Sequence, residues 1–274
     1  MTVQVDLVAA LNRALAEEEF RLYYQPQVDL ASGEVLGLEA LLRWQHPVRG
    51  LLEPREFLPA VEHTEIMVEI GHWVLREAAK EIALCHELLS RGDAKSKQVW
   101  VNVSSMELAQ PEFVDVVLDV MDLDVIAPGV LGMEIGEADL IAHSEDVRAS
   151  AVRLKEVGVS LAVDDFGTWY SALAQLRSIP LDAVKLGMSF VRGLGHELAS
   201  DKVVESVIEL AHAHGLFVVA EGVERWPEAA RLCELGCDRA HGYLFSGPVR
   251  PEFARQMLIT GTGWVSPPRV PDEG

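Results

Sequence analysis

Polar residues repeatedly follow short apolar runs in this chain, and this pattern constrains the fold more than any other feature. Residues 35–38 lead into Glu39, and residues 217–220 lead into Glu221. The polar residues placed in this way are Glu39, Asn102, Glu134, Asp164, Asp165, Lys185, Glu221 and His241. Because the carboxyl ends of parallel strands meet at one end of a barrel, the pattern predicts a barrel with its chemistry at one mouth.

The order of the predicted elements indicates the fold class. Residues 20–28 and 35–44 are rich in strand-forming types and flank a short turn that contains Gly33, which predicts an antiparallel hairpin. From Asn102 onward, strand and helix patterns alternate, with the strand-end residues 20–36 positions apart, as in a parallel sheet. Eight strands are predicted when the hairpin is included. We therefore predict an α/β fold, a TIM-like (β/α)8 barrel whose first strand is antiparallel.

The boundaries of the predicted elements follow from periodicity and turn residues. Predicted helices cover 6–19, 54–64, 69–92, 111–123, 144–158, 170–179, 201–215, 225–236 and 251–259. The later predicted strands cover 97–104, 130–137, 159–165, 182–187, 216–222 and 237–245. Since no break in composition divides the chain, residues 1–260 are predicted to form a single domain. The Pro-rich segment 261–274 is expected to be a flexible tail.

Composition excludes several classes of protein. Of the 274 residues, 49% are hydrophobic, which is sufficient for a large core, and the net charge is −20. This charge argues against a protein that binds nucleic acid polymers through their phosphates. The chain has three cysteines with no disulfide pattern, no signal-peptide pattern and no apolar stretch of the ~20 residues that a membrane helix needs. We expect a cytoplasmic protein without a membrane span.

The types of strand-end residue indicate the chemistry. A single acid at a strand end is most often a helix cap or a turn residue, but many acids at one mouth repel each other unless cations bind there. Carboxylate and amide oxygens suit Mg²⁺ or Mn²⁺, and the scarcity of His and Cys in the set argues against Zn²⁺. Gly132, Ala162 and Ala183 each stand two residues before a polar strand end. These small residues predict space in the barrel for the polar groups to converge.

Short motifs surround these strand-end residues. The first is Glu39-Ala40-Leu41, continued by LRW at 42–44. The others are YQP at 24–26, VNVS at 101–104, EIGE at 134–137, DDFGT at 164–168, VKLG at 184–187, EGVE at 221–224 and GYL at 242–244. These motifs resemble those of the EAL domain family of cyclic di-GMP phosphodiesterases, and their order and spacing agree with that family over residues 5–258.

The resemblance implies a barrel with an antiparallel first strand, a homodimer, and hydrolysis of cyclic di-GMP to linear pGpG with two Mg²⁺ or Mn²⁺ ions per site. The implied metal ligands are Glu39, Asn102, Glu134, Asp164, Asp165 and Glu221. The implied catalytic residues are Glu221, Lys185 and Asp165, with Glu221 either a ligand or the general base. The implied substrate-binding residues are Gln25, Arg43, Glu224 and Tyr243, and Glu137 is implied to brace the loop after Asp165.

The chain departs from the family pattern near the implied site. Trp169 stands where the family has Gly, Gly187 where it has Asp, and His241 where it has Gln. None of these is an implied metal ligand, so an active phosphodiesterase is the first hypothesis. The departures keep open a second hypothesis, a degenerate domain that binds cyclic di-GMP as a receptor with little or no turnover. Another metal-dependent barrel enzyme is a third hypothesis, which the run of motifs disfavours. A stand-alone protein and a fragment of a longer one are both compatible with the sequence.

Overall fold

A long antiparallel hairpin begins the barrel in the computed structural model, which describes residues 2–85, 97–123, 126–142, 144–166, 179–195 and 198–261. Strand β1 (Phe20–Asp29) pairs with β2 (Val35–His46), so that Gln25 lies opposite Glu39. The later strands are β3 (Gly50–Leu52), β4 (Gln98–Val103), β5 (Leu131–Gly136), β6 (Ser160–Phe166), β7 (Ala183–Leu186), β8 (Phe217–Ala220) and β9 (Arg239–Ala240). The predicted hairpin is confirmed.

Helices cover the outside of the strands, as the alternating pattern predicts. They are Thr2–Ala16, Ile66–Leu84, Ser105–Leu108, Phe113–Leu123, Glu137–Ala142, Ser144–Glu156, Met188–Val191, Leu198–Ala213, Trp226–Glu234 and Pro251–Thr260. Gly158 follows one of these helices with φ +89°. Glycine favours this left-handed conformation, which turns the chain into β6.

Eight of the described strands close into a ring. Parallel pairing joins β2 to β4 and then continues in order from β4 to β9. The ring closes through β1, which is antiparallel to both β2 and β9. The short strand β3 pairs with the end of β2, outside the ring. The predicted fold class, a TIM-like barrel with an antiparallel first strand, is confirmed.

A single indole fills the middle of the barrel interior. Trp100 is 1% exposed and packs with Ala162, Ala183 and Phe217, apart from the main core between strands and helices. A Cβ on Gly132 would lie 2.4 Å from Cε3 of Trp100. The space that the small residues leave is therefore occupied by this indole, and the polar strand ends lie in the layer above it.

Two predicted segments are wrong in type or length. Residues 54–64 form two short 3-10 helices, Pro54–Glu56 and Leu58–Ala60, because Pro59 has no N–H to continue a regular helix. The predicted strand 237–245 shortens to β9. It ends because Gly242 approaches the Val223 backbone, where a Cβ would lie 2.2 Å from the carbonyl oxygen. Strand β3 was not predicted.

Several further expectations concern residues outside the described ranges. They include the predicted helix 170–179, the environment of Trp169, and the tail beyond Gly261. The single-domain boundary at residue 260 stays a prediction. Among the described residues, no helix combines the length and apolar character needed to cross a membrane.

Candidate functional site

The ammonium of Lys185 lies at the centre of the mouth, surrounded by carboxylates that belong to four other strands or directly follow them. Its Nζ is 2.6 Å from both Glu134 Oε2 and Glu221 Oε1, and 3.3 Å from both Glu39 Oε2 and Asp164 Oδ1. Lys185 and Glu134 are each only 1% exposed. The barrel therefore brings together five of the residues that the sequence placed at strand ends.

Two amide side chains extend this cluster. Asn102 Nδ2 donates a hydrogen bond to Glu39 Oε1 at 3.1 Å. Gln27 Nε2 donates to Glu134 Oε1 at 3.4 Å from the antiparallel strand β1. Two of the buried carboxylates are thus oriented by neutral donors as well as by Lys185.

A bulge in β6 explains how the carboxylates of two adjacent acids both lie near the mouth of the barrel. In a regular strand Asp164 and Asp165 would point to opposite faces. The register between β6 and β7 shifts just before Phe166, and Asp165 has φ +53°, a rare value for a residue with a side chain. The backbone N–H of Asp165 donates to Asp164 Oδ1 at 2.9 Å. The turn keeps the Asp165 carboxylate within electrostatic range of Glu221 and Lys185.

Burial and charge shift the pKa values of the cluster in opposite directions. Burial lowers the pKa of Lys185, but the carboxylates around it raise that pKa well above its ordinary value. Burial raises the pKa of Asp164 to about 7, and burial together with Glu39 raises the pKa of Glu134 strongly. For Glu221, burial raises the pKa, but Lys185 and His241 together outweigh burial and hold the pKa below its usual range. The mouth carries more negative charge than one ammonium neutralises.

A cavity of about 740 Å³ opens beside these carboxylates. This volume lies within the range of small-molecule sites, ~300–1,000 Å³. Its lining includes the polar residues Glu39, Asn102, Glu134 and Asp164 and the apolar residues Leu41, Leu58, Met67, Ile70 and Val74. The cavity offers a ligand an apolar wall and a charged edge.

Gln25 and Arg43, predicted to bind substrate, are both largely buried on the hairpin. Gln25 Nε2 donates to the carbonyl oxygen of Ser246 at 3.0 Å. Arg43 Nη1 donates to the Leu42 carbonyl oxygen at 2.8 Å, and its guanidinium lies 5.8 Å from the Tyr23 ring centroid. These contacts hold both side chains against the barrel.

The other predicted site residues differ in exposure. Glu224 is exposed, and Tyr243 is 70% exposed. Glu137 is buried at the start of a helix, and the loop after Asp165 that it is predicted to brace lies largely outside the described residues. The roles of all three stay predictions.

Comparison with known proteins decides the family. The EAL domain family profile matches residues 8–248. The chain belongs to the EAL domain family. Uncharacterized protein Rv1354c of Mycobacterium tuberculosis is 41% identical to this EAL domain over 253 residues, which are 92% of this chain and 40% of that protein. Cyclic di-GMP phosphodiesterase PA2567 of Pseudomonas aeruginosa is 36% identical over 255 residues, which are 92% of this chain and 42% of that protein.

A solved structure extends the similarity of the EAL domain to three dimensions. PaMucR phosphodiesterase, in a complex with c-di-GMP, has a TM-score of 0.83 and 33% identity, over 91% of this chain and 99% of that one. The chain spans 40–42% of the length of the two relatives above. The fold and family predicted from the motifs are confirmed.

Gln27 and Trp100 shape the EAL site, although the sequence interpretation gave neither a role. Gln27 is two residues from Gln25 on β1, and this period-two spacing is the signal that places both on one face. Trp100 stands two residues before Asn102 in the same way. For Trp100, sequence offers no signal that one large ring fills the space left by small residues on other strands.

Gly187, one of the departures from the family pattern, lies against Asp165. A Cβ at Gly187 would be 2.9 Å from Asp165 Oδ1. The missing side chain therefore gives the Asp165 carboxylate room beside β7.

Proposed function

We propose that this EAL domain hydrolyses cyclic di-GMP to linear pGpG, which lowers the level of this second messenger, with two Mg²⁺ or Mn²⁺ ions. The observation that carries the proposal is the contact of Lys185 Nζ with four strand-end carboxylates at 2.6–3.3 Å. The relative PA2567 is named a cyclic di-GMP phosphodiesterase, and PaMucR is named a phosphodiesterase in complex with c-di-GMP. These names support the substrate class.

The donor set fits hard divalent cations. The residues that would hold them are Glu39, Asn102, Glu134, Asp164, Asp165 and Glu221. The excess negative charge around Lys185 favours cation binding at the mouth. When bound, the ions would polarise a phosphoryl oxygen and lower the pKa of the attacking water.

The protein's own residues would perform the remaining steps. Lys185 places a positive charge where the phosphate gains negative charge in the transition state. Glu221 is held ionised by Lys185 and His241 together, as a general base requires, and would accept the proton of the water. Gln25, Arg43, Glu224 and Tyr243 would bind the dinucleotide, and Glu137 would brace the loop after Asp165.

Binding without turnover is the second candidate function. Gly187 favours binding without turnover. The family pattern has Asp at this position, and this chain therefore lacks the carboxylate that the Asp would add beside Lys185. In this case the domain is a receptor that uses the same cavity.

Incubation with cyclic di-GMP and Mn²⁺ separates the two candidates. We expect pGpG as the product and a decrease of at least ~10²-fold in rate for Glu39→Ala, because it removes a cation ligand. The control Glu205→Gln changes an exposed acid on the helix Leu198–Ala213 and keeps the full rate. Product no higher than that of Glu39→Ala contradicts hydrolysis, and tight nucleotide binding in EDTA without turnover selects the receptor.

We also infer a homodimer, from the family resemblance, and a cytoplasmic location, from the three cysteines without a disulfide pattern. Sedimentation equilibrium of the purified chain tests the first inference, and a monomer at all concentrations contradicts it. Fractionation of the source cells tests the second.

A further inference from the structure

We propose that His241 is a ligand of a divalent cation at the mouth and binds through Nδ1, beside Glu39. The inference rests on the part of the proposed function that places divalent cations there. It concerns a position at which this chain departs from the family pattern, which has Gln.

The two ring nitrogens of His241 face different carboxylates. Nε2 lies 3.2 Å from Glu221 Oε1, which is a hydrogen-bond distance. Nδ1 lies 3.7 Å from Glu39 Oε2, which is too long for a hydrogen bond. His241 is 7% exposed, and its buried Nδ1 has no hydrogen-bond partner among the described residues. One buried nitrogen is thus satisfied, and the other is aimed at a carboxylate without bonding to it.

This arrangement matches the requirements of a metal-binding imidazole. Such a histidine donates its second N–H to a carboxylate, which fixes the tautomer and the ring orientation. Donation from Nε2 to Glu221 leaves the lone pair on Nδ1, on the side of Glu39. Two ligand atoms of one cation, at bond lengths of about 2.1 Å, lie about 3–4 Å apart. The separation of 3.7 Å between Nδ1 and Glu39 Oε2 falls in this range.

A third residue, Glu221, belongs to the same cluster of possible ligands. Glu39, Glu221 and His241 each offer one ligand atom, and these atoms all lie within 4.8 Å of one another. Glu39 lies within β2, in the part that pairs with β4, whereas Glu221 and His241 directly follow β8 and β9. The site therefore exists only when the barrel is closed.

A nitrogen ligand changes which metals the mouth prefers. Mg²⁺ prefers oxygen ligands, whereas imidazole suits later transition metals such as Co²⁺. The domain should therefore bind Co²⁺ and Mn²⁺ more tightly, relative to Mg²⁺, than the same barrel with Gln at this position.

The competing arrangement is a protonated His241 that forms ion pairs with Glu39 and Glu221. In that arrangement His241→Gln removes a positive charge from an acidic mouth, so the affinity for every divalent cation rises or stays the same. Only the arrangement in which His241 is a ligand therefore predicts a decrease in Co²⁺ affinity.

The test measures cation binding by the full chain without nucleotide. Mn²⁺ is added to EDTA-stripped protein, and electron spin-echo spectroscopy detects nitrogen bound to the ion. We expect ¹⁴N modulation in the natural protein, its replacement by a ¹⁵N pattern after labelling with [¹⁵N]histidine, and its loss in His241→Gln. Titration calorimetry should show a decrease in Co²⁺ affinity of at least ~10-fold in His241→Gln, with a change in Mg²⁺ affinity below ~3-fold.

The control is His212→Gln. His212 is exposed and pairs with Asp238 at 2.8 Å, away from the strand-end cluster, so this variant should keep the nitrogen signal. Mn²⁺ binding without any nitrogen signal in the natural protein overturns the inference but leaves the proposed function standing. A failure to bind any divalent cation overturns both. The labelling result does not depend on the folding of a variant.

Discussion

The residues at the centre of the mouth and at the centre of the layer beneath it are equally buried but are stabilised in opposite ways. Lys185 above and Trp100 below are each 1% exposed. Lys185 contacts four carboxylates, whereas Trp100 contacts small apolar side chains and Phe217. The lower layer depends on volume, because close-packed interiors tolerate neither voids nor overlap. The upper layer depends on charge partners, because a buried charge without a partner is costly.

This difference separates two roles of the barrel interior, which are folding and ligand binding. The indole layer contributes to folding with no group able to bind an ion, whereas the mouth holds charge that becomes useful only with a ligand or a cation. Substitutions in the indole layer should therefore change the free energy of unfolding. Substitutions at the mouth should change the binding of a ligand or a cation and the pH dependence of that binding.

The largest expected effect comes from Trp100→Ala in the lower layer. Removing a fully buried indole leaves a cavity, so the free energy of unfolding should fall by about 3–5 kcal/mol. Urea unfolding checks this, with an unchanged denaturant slope. Trp226→Ala, at the start of an outer helix where the ring is half-buried, is the control and should cost about 1 kcal/mol. Equal losses in the two variants would break the comparison between layers.

A second prediction concerns a buried acid that is held by neutral donors. Glu107 lines the same cavity as the mouth acids and accepts hydrogen bonds from Ser104 N at 2.9 Å and Ser104 Oγ at 2.6 Å. Burial raises its pKa from 4.5 to about 7. Between these values the folded protein binds more protons than the unfolded chain, so stability falls as the pH rises from about 4.5 to 7.

The loss of stability from Glu107 should reach about 3 kcal/mol above pH 7, from 1.36 kcal/mol per pKa unit. Urea unfolding at pH 5 and pH 8 measures it. Glu107→Gln should reduce the difference between the two pH values by about 2.5 kcal/mol, because at pH 5 the unfolded chain has already released most of this proton. Glu62→Gln, which changes an exposed acid on the same cavity wall, should not reduce it. The same pH difference in Glu107→Gln as in the natural chain would contradict the prediction.

The smallest expected effect comes from Gly187→Ala. Gly187 has φ −59° and ψ 153°, which alanine adopts freely, so only the contact of its Cβ with Asp165 Oδ1 matters. We expect a coupling of about 0.5–1 kcal/mol with Asp165→Ala in a double-mutant cycle of Mn²⁺ affinity. Additive effects of the two substitutions would show that Gly187 does not control the position of Asp165.

The predicted elements with regular periodicity agree with the structure, and the exceptions have local causes. The hairpin and the strands that carry Asn102 and Glu134 follow the alternation of side chains, which is a property of neighbouring residues. Segment 54–64 departs because prolines interrupt an apolar pattern that otherwise suits a helix. Strand β3 is too short for any periodicity to reveal it.

For the candidate site, the sequence identified the residues but not the contacts between them. The strand-end position of Lys185 is visible in VKLG, yet its contact with Glu39 joins residues 146 positions apart. The sequence does not mark the β6 bulge, because the residue with positive φ is Asp165 and not glycine, which adopts this conformation most readily. The direction of His241 Nδ1 is likewise set by neighbours on other strands.

By itself, the sequence determined the antiparallel start, the alternation of strands and helices, and the set of polar residues at strand ends, because these depend on spacing along the chain. Only the tertiary structure decided that Lys185 lies among four carboxylates, that Trp100 fills the layer beneath, and that His241 Nδ1 points at Glu39. The physical reason is closure of the barrel. The curvature and register of the whole ring determine which distant side chains meet at its mouth.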